Sequence, residues 1–279
     1  MWYPVTNNIS FGGDPKVKKR LFGLFLAAAV LVLQSGCVWP WQKTVTVGGQ
    51  TVVVDSSIPS STLNAADFSV QKDGTIAYSG GKYLTGIDVS AHQGKINWKK
   101  AAKKVDFAML RVGYRGYTKG ELAADSTFQY NIKQALKYGV QVGVYFFSQA
   151  INVAEAKEEA NYVLSLIKKY NVTMNVAYDW ETIDNVSAGV ARTENVTQDT
   201  VTQCAVAFCD VIQKAGYQPA VYCNGMLGYL SYDLSKLSDA DIWYANYDST
   251  CPNFAYQIRM WQYTESATLS GITGSVDLN

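Results

Sequence analysis

Apolar and polar positions alternate in short blocks along residues 83–279, a pattern typical of strands that alternate with helices. Apolar runs predict β-strands at 84–89, 107–112, 140–147, 174–181, 219–223, 241–246 and 258–263, with a last short strand near 275–278. Helical spacing predicts α-helices at 96–104, 125–138, 152–170 and 196–215. This order favours parallel βα units, and about eight strands favour a closed α/β barrel of the TIM type. The last strands follow one another without helices, so we expect an incomplete outer helical ring.

Several helix ends carry capping signals. Asn152 precedes a helical stretch as an N-cap, with Glu155 at the third helical position. Gly139 and Gly216 stand just after helix ends, where a residue in the left-handed conformation is favoured.

The N-terminal stretch has the pattern of a targeting segment. The basic residues of 16–20 are followed by the apolar run 21–33, which is shorter than the roughly 20 residues of a bilayer span. Small residues then lead to Cys37, which resembles a bacterial lipoprotein signal, although Gln34 stands where such signals usually have leucine. Lipidation at Cys37, an uncleaved anchor and plain secretion stay open for residues 1–37. All three place the remainder outside the cytoplasm, because the positive flank stays inside.

Residues 38–82 are predicted to form a hairpin and a linker. Two runs of β-branched residues flank Gly48 and Gly49, which predicts a tight hairpin turn. The segment 56–83 is rich in serine, glycine, threonine and asparagine. We predict little structure of its own for this segment, as a tether that holds the domain off the membrane. The alternative is that it packs along the domain.

Composition excludes several classes of protein. Hydrophobic residues make up 48% and charged residues 17%, which excludes global disorder. The net charge of +1 gives no support for nucleic-acid binding. His92 is the single histidine, which excludes metal sites that need two or three imidazoles, and we expect no metal and no cofactor.

The cysteines after Cys37 leave disulfide pairing open. Cys204 and Cys209 lie on one predicted helix, where they are expected to pack as small apolar residues. Cys223 and Cys251 are a candidate pair in an oxidising compartment.

Acidic residues stand at the ends of three predicted strands. Asp88 ends the first strand, Asp179 and Glu181 end the fourth, and Asp277 lies on the last. Functional groups of a βα barrel gather at the carboxyl ends of its strands. Asp179 and Glu181 are two positions apart and face the same side. Two adjacent carboxylates keep one proton between them near neutral pH, which suits cleavage of a glycosidic bond.

The residue order along 83–279 resembles the glycoside hydrolase family 25 lysozymes, the N,O-diacetylmuramidases. The resemblance is carried by 86–94 (GIDVSAHQG), 143–147 (GVYFF), 178–181 (YDWE), 242–247 (IWYANY), 260–263 (MWQY) and 276–279 (VDLN). One departure is the second strand, where the family often reads Lys-x-Ser/Thr-Glu-Gly and this chain reads RVGYRG at 111–116. The departure concerns contacts at the rim of the site, not the acids.

The resemblance implies a barrel with few outer helices that cleaves the β-1,4 bond between N-acetylmuramic acid and N-acetylglucosamine without a metal. Glu181 maps to the general acid and Asp179 to its partner carboxylate, with Asp88 and Asp277 as supporting acids. The implied partner is a peptidoglycan strand, with membrane attachment through the N-terminal segment and a monomeric state. Retention through the substrate's acetamido group and inversion through an activated water both stay open.

Further residues are candidates for contacts with sugar, namely Tyr114, Tyr145, Tyr178, Tyr244, Trp261 and Gln262. Two other functions are compatible with the sequence. One is a tethered glycan-binding module without catalysis, against which the intact Asp179 and Glu181 argue. The other is a barrel glycosidase such as a chitinase, which would carry a longer acidic run where this chain has Met174.

Overall fold

The computed structural model describes residues 42–183, 191–247 and 249–279. Residues Lys43–Asn279 form one compact unit. The predicted targeting segment 1–37, with its candidate lipidation site Cys37, lies outside the described residues. Within the described ranges, every helix falls short of the length and apolar character that a bilayer span requires.

The described residues contain fourteen strands and four α-helices. The strands are β1 (Thr44–Val47), β2 (Gln50–Val53), β3 (Phe68–Val70), β4 (Ile76–Tyr78), β5 (Gly86–Val89), β6 (Phe107–Arg115), β7 (Leu122–Ala124), β8 (Gln141–Ser148), β9 (Val176–Trp180), β10 (Pro219–Cys223), β11 (Asp241–Ala245), β12 (Met260–Gln262), β13 (Thr264–Ala267) and β14 (Val276–Leu278). The helices are α1 (Trp98–Ala101), α2 (Phe128–Lys137), α3 (Val153–Ile167) and α4 (Gln198–Lys214).

Ten strands form a nearly closed, barrel-like sheet that carries few helices. Its order is β12-β11-β10-β9-β8-β6-β5-β14-β13, with β7 paired to β6. The strands from β5 to β12 on this path are parallel. The two ends of the sheet approach each other where the amide of Tyr263, just after β12, donates to the carbonyl of Leu278 in β14 at 3.0 Å. The predicted barrel is therefore confirmed as a nearly closed sheet.

The last strand differs from the expected parallel arrangement. β14 is antiparallel to both β13 and β5. Residues 268–275, which join β13 to β14, are fewer than the dozen or more that a parallel crossover needs. The chain therefore closes the sheet through a hairpin.

Most predicted elements are confirmed, and the capping signals act as expected. Asn152 accepts a hydrogen bond from the amide of Glu155 at the start of α3. Gly139 and Gly216 follow α2 and α4 with φ of 79° and 87°. The sequence missed the short strands β3, β4, β7 and β13, which lack the long apolar runs of the barrel strands.

Side chains of the barrel strands alternate between two apolar cores. The outer core lies between the sheet and the helices and includes Ile87 and Val89. The inner core fills the barrel and includes Met109, Ala177 and Trp243. Because neighbours on a strand face opposite sides, Asp88 lies between two outer-core residues and faces inward.

The N-terminal segments pack along the barrel. The predicted hairpin is confirmed, since β1 pairs with β2 and Gly48 and Gly49 take φ of 55° and 76° in the turn. The prediction of little structure for 56–83 is wrong. β3 and β4 form a second hairpin there, and the ring of Phe68 packs edge-on against Trp261 at 5.7 Å. Backbone pairing of this segment with the barrel satisfies polar groups that a free tether would leave to water.

The cysteines of the described ranges are free thiols. Cys223 and Cys251, the candidate pair, form no disulfide. Burial raises the pKa of Cys204, Cys209 and Cys223 to about 12, so these side chains act as small apolar groups.

Candidate active site

The four predicted acids meet at one mouth of the barrel. Asp88 on β5 and Asp277 on β14 are directly paired across the strands. Asp179 lies on β9, and Glu181 follows that strand. The negative charge of Asp88 acts on both Asp179 and Glu181, which places the two pairs within electrostatic reach of each other. Three strands distant in sequence thus bring the acids together.

The first pair, Asp88 with Asp277, is held by amide side chains. Oδ2 of Asp88 accepts from Nε2 of Gln262 at 2.8 Å and from Nδ2 of Asn279 at 2.9 Å. Nε2 of Gln262 also donates to Oδ2 of Asp277 at 3.3 Å. Burial raises the pKa of Asp88, and burial with the neighbouring charge of Asp88 raises the pKa of Asp277 to about 9. The pair therefore shares a proton at neutral pH.

Gln262 is the hub of this network. Its Oε1 accepts from the hydroxyls of Tyr222 at 2.9 Å and Tyr247 at 2.7 Å. The indole of Trp243 donates to Oδ1 of Asn279 at 2.8 Å, which orients the amide that reaches Asp88. Gln262 is 3% exposed, so the side chain predicted to contact sugar is instead occupied by protein groups.

The second pair, Asp179 with Glu181, accepts fewer hydrogen bonds from the protein. The two carboxyl groups are hydrogen-bonded to each other. No amide, hydroxyl or cationic group in the described ranges donates to either carboxyl group, and Oδ1 of Asp179 is buried. Burial, followed by the charge of Glu181, raises the pKa of Asp179 well above its ordinary value. Burial also raises the pKa of Glu181. Both shifts favour the protonated form of this pair.

The backbone at Glu181 is fixed from behind. Nε2 of the fully buried Gln149 donates to the carbonyl of Glu181 at 2.7 Å and to that of Ser148 at 2.8 Å. Oε1 of Gln149 accepts from Thr193 at 3.3 Å. The indole of Trp180 donates to the carbonyl of Ala150 at 3.1 Å, so Trp180 points away from the acids.

A buried ion pair lies next to this support. Arg115 is 4% exposed, and its Nε lies 2.7 Å from Oε1 of Glu159. Ser148 donates to the other oxygen of Glu159 at 2.6 Å. Burial raises the pKa of Glu159 to about 7, because the bonds from Ser148 and Arg115 offset only part of the desolvation.

A second arginine lies inside the mouth. Nε of Arg111 lies 2.8 Å from Oδ2 of Asp125, and Nη1 lies 3.4 Å from Nε2 of His92. The guanidinium carbon stands 5.6 Å from the ring centre of Tyr114. Burial and the adjacent charge of Arg111 lower the pKa of His92, which keeps the imidazole neutral at pH 7.

The predicted sugar contacts divide into two groups. Tyr145 lies in the mouth, where burial and the charge of Asp88 raise its pKa, and Tyr114 lies at the rim beside Arg111. The interpretation of Tyr178 and Tyr244 as sugar contacts is corrected, because both belong to the outer core. Tyr178 packs on Phe208 of α4, and Tyr244 stacks on Phe254 at 4.4 Å; Trp261 also belongs to that core.

Several residues of the mouth are not predicted by the sequence patterns, namely Arg111, Gln149, Tyr222, Trp243, Tyr247 and Asn279. Strand alternation is a signal for some of them. Asn279 stands two positions after Asp277, and Arg111 stands two positions after the inner-core residue Met109. Gln149 follows its strand, so alternation gives no signal for its contact with Glu181.

Comparison with known proteins gives one family. The model of the glycosyl hydrolases family 25 matches residues 87–272. The autolytic lysozyme of Clostridium acetobutylicum is 25% identical over 201 residues, which cover 70% of this chain and 55% of that protein. The uncharacterized protein YegX of Escherichia coli K12 is 27% identical over 200 residues, which cover 70% of this chain and 68% of that protein.

Solved structures show the same fold. The modular autolysin LytC from Streptococcus pneumoniae matches with a TM-score of 0.62 and 28% identity, over 85% of this chain and 57% of that one. A family 25 glycosyl hydrolase from Bacillus anthracis matches with a TM-score of 0.58 and 22% identity, over 70% of this chain and 87% of that one. The chain thus spans little more than half the length of LytC and of the clostridial lysozyme.

Proposed function

The chain belongs to the glycosyl hydrolases family 25, and from this membership we propose that it is a lysozyme. Its reaction is hydrolysis of the β-1,4 bond between N-acetylmuramic acid and N-acetylglucosamine in peptidoglycan. Two relatives are named an autolytic lysozyme and an autolysin, which supports a cell-wall substrate. The observation that carries the proposal is the meeting of Asp88, Asp179, Glu181 and Asp277 at one mouth of the barrel.

Glu181 acts as the general acid. Glycosidic cleavage needs a carboxyl group that still holds its proton near neutral pH and can reach the leaving oxygen. Burial raises the pKa of Glu181, and this side chain is more exposed than Asp179, which is 5% exposed beneath it. Glu181 is therefore the member of the pair that delivers the shared proton to substrate.

Asp179 acts from the same side of the sugar as Glu181. The two carboxyl groups lie within hydrogen-bonding reach of each other. The carboxyl groups of an inverting pair stand about 6.5–9.5 Å apart to admit a water between them. We therefore propose that Asp179 orients the substrate's acetamido group, which closes the reaction with retention. Proton NMR of the first-formed anomer tests this step, and an α-anomer from the β-linked strand would contradict it.

Asp88 and Asp277 support the catalytic pair. Asp88 adds a fixed negative charge that raises the pKa of both Asp179 and Glu181. The amides of Gln262 and Asn279 hold Asp88 in place, so the first pair sets the protonation of the second.

Digestion of purified peptidoglycan by the full-length chain tests the function. Borohydride reduction followed by mass spectrometry identifies the new reducing ends, and we expect them on muramic acid. Reducing ends on glucosamine would assign a different bond, and faster cleavage of soluble chitin would indicate a chitinase. Glu181→Gln should lower kcat by about 100- to 10,000-fold. Loss of wall turbidity that is equal in wild type and Glu181→Gln would contradict the enzymatic proposal.

The site of action is proposed to be outside the cytoplasm. Residues 1–37 would direct export, with Cys37 as the lipid-bearing residue of a membrane-anchored monomer. Fractionation of cells that express Cys37→Ala tests the anchor. Release of the variant from the membrane fraction is expected, and retention would indicate an uncleaved apolar span.

A further inference from the structure

We propose that Arg111 reads the carboxylate on the 3-O-lactyl arm of muramic acid, either free or carried by the attached peptide. The inference rests on the proposed function and deepens it. This contact lets the barrel mouth distinguish peptidoglycan from uncharged chitin, whose sugars have no lactyl arm.

Strand register places Arg111 inside the mouth beyond Asp88. Asp88 on β5 is paired with Met109 on β6, and Arg111 follows Met109 by two positions on the same face. The rise of a strand sets the two levels about 7 Å apart. Arg111 is in turn paired with Tyr145 on β8, whose side chain lies among the acids. The α-carbon of Arg111 therefore lies about one sugar ring beyond the level of Asp88 along the strands.

The guanidinium is held in a fixed orientation. Nε of Arg111 donates to Oδ2 of Asp125 at 2.8 Å. Asp125 is itself held by hydrogen bonds from the amide of Ala91 at 2.9 Å and the hydroxyl of Thr127 at 2.7 Å. The ring of Tyr114 lies beside the guanidinium on another side. Because Nε is fixed, the planar fork is oriented before any ligand binds.

The outer edge of the fork is available. Nη1 approaches the neutral His92 at 3.4 Å, and across the described part of the chain Nη2 has no hydrogen-bond partner. The side chain of Arg111 is 15% exposed. A fork with open N–H groups and partial exposure matches a carboxylate, which accepts two parallel hydrogen bonds.

An anionic substrate needs such a contact in this mouth. Asp88, Asp179, Glu181 and Asp277 give the mouth an acidic lining, which would repel a carboxylate on the incoming strand. The positive charge of Arg111 acts on Asp179 and on Tyr145, so it lies within range to offset that repulsion. A neutral sugar strand gains nothing from it, which makes the contact a source of specificity.

Equilibrium binding tests the inference in the full-length chain with Glu181→Gln present throughout, so that ligands are not cleaved. Calorimetry compares four tetrasaccharides. They are neutral chitotetraose, alternating glucosamine–muramic acid with free lactyl carboxylates, the same strand with peptides, and the same with peptide carboxylates amidated. We expect the carboxylate-bearing strands to bind about 10- to 100-fold more tightly than chitotetraose. Preference for the free lactyl form or for the non-amidated peptide form identifies the source of the carboxylate.

In Arg111→Gln, chitotetraose and the carboxylate-bearing strands should bind with nearly equal dissociation constants. Arg111→Lys should keep only part of the preference for the carboxylate-bearing strands. Lys133→Gln removes an exposed positive charge on α2 and should keep the full ratio. Since Arg111→Gln leaves Asp125 buried without its cation, the double variant with Asp125→Asn provides a second, neutral version for comparison by thermal unfolding.

An unchanged preference in both Arg111 variants, or no preference in the parent chain, would overturn the inference. Failure of this inference can be told apart from failure of the proposed function. A chain that prefers the anionic strand but does not hydrolyse it would retain this inference and lose the lysozyme assignment.

Discussion

The two carboxyl pairs of the mouth differ in what the protein does for them. Oδ2 of Asp88 and Oδ2 of Asp277 accept hydrogen bonds from amide side chains, and two phenols hold the amide of Gln262. Asp179 and Glu181, on the opposite part of the mouth, have each other and no donor from the described residues. A group whose hydrogen bonds are already made is fixed in position, whereas a group without them is open to a ligand. The contrast favours the proposal that the first pair supports the site and the second pair carries the chemistry.

Amide substitutions at three of the acids sharpen the contrast most strongly. Asp179→Asn and Glu181→Gln should each lower kcat on peptidoglycan by about 100- to 10,000-fold, because each removes a group that acts on substrate. Asp277→Asn should lower kcat clearly less, since an amide can replace the protonated member of a pair that shares one proton. Steady-state kinetics on soluble glycan strands gives the comparison. An equal loss of kcat at all three positions would remove the distinction between the pairs.

The support behind Glu181 offers a second test. Gln149→Leu should lower kcat by about tenfold with little change in KM, because the carbonyl of Glu181 loses its donor and the acid shifts. A shifted pH profile would show that the acid itself moved. Thr193→Val removes only the 3.3 Å bond to Gln149 and serves as the control. Equal effects of both variants on kcat would argue for a general loss of packing.

The free energy of unfolding distinguishes the role of Asp88 as a hydrogen-bond acceptor from its role as a negative charge. Asp88→Leu leaves Gln262 and Asn279 with unmet donors and should lower the free energy of unfolding by about 1–3 kcal/mol. Asp88→Asn can keep both bonds through one oxygen and should change it by less than about 1 kcal/mol. Urea unfolding followed by circular dichroism measures both. A large loss in Asp88→Asn would mean that the negative charge, and not the hydrogen bonds, holds the network.

The pH dependence of stability tests the shared proton of the first pair. The pKa of Asp277 in the folded chain is about 9, above its ordinary 3.8, so the folded state binds this proton more tightly. Its contribution to stability is complete below about pH 4 and is lost as the pH rises toward 9. Asp277→Asn should therefore show a smaller fall in the free energy of unfolding across this range. Identical slopes in wild type and variant would contradict the raised pKa.

The smallest effect is expected outside the mouth. Tyr244→Phe removes a hydroxyl that donates to the exposed Asn253 and should leave kcat/KM within about twofold, at a cost of about 1 kcal/mol in stability. Tyr145→Phe, inside the mouth, should raise KM more than Tyr244→Phe does. The reverse order of the two effects would place the sugar-binding surface elsewhere.

Strand alternation explains which parts of the site the sequence reveals. Asp179 and Glu181 could be paired from their spacing alone, and the same rule applied to Tyr178 would have placed it outside. The convergence of Asp88 with Asp277 depends on how the sheet closes, which short-range patterns do not record. The contact of Gln149 with Glu181 joins two loops after strands, where no periodicity constrains direction.

Much of the fold can be predicted from the sequence for a similar reason. Long apolar strands and capped helices, such as α3 after Asn152, leave periodic signals that survive in a single sequence. The second N-terminal hairpin has short strands, β3 and β4, whose pairing and packing on Trp261 come from tertiary contacts. Composition alone made that segment resemble a tether.

The closing hairpin makes completion of the site depend on its last strand, β14. Asn279 and Asp88 are hydrogen-bonded although they are 191 positions apart, and β14 is synthesised after all the other described strands. A partly made chain holds Asp179 and Glu181 but lacks the strand that brings Asp277 and Asn279 to Asp88. Such a nascent polypeptide has no finished catalytic mouth, so a wall-degrading activity would arise only after the whole domain has been made and folded.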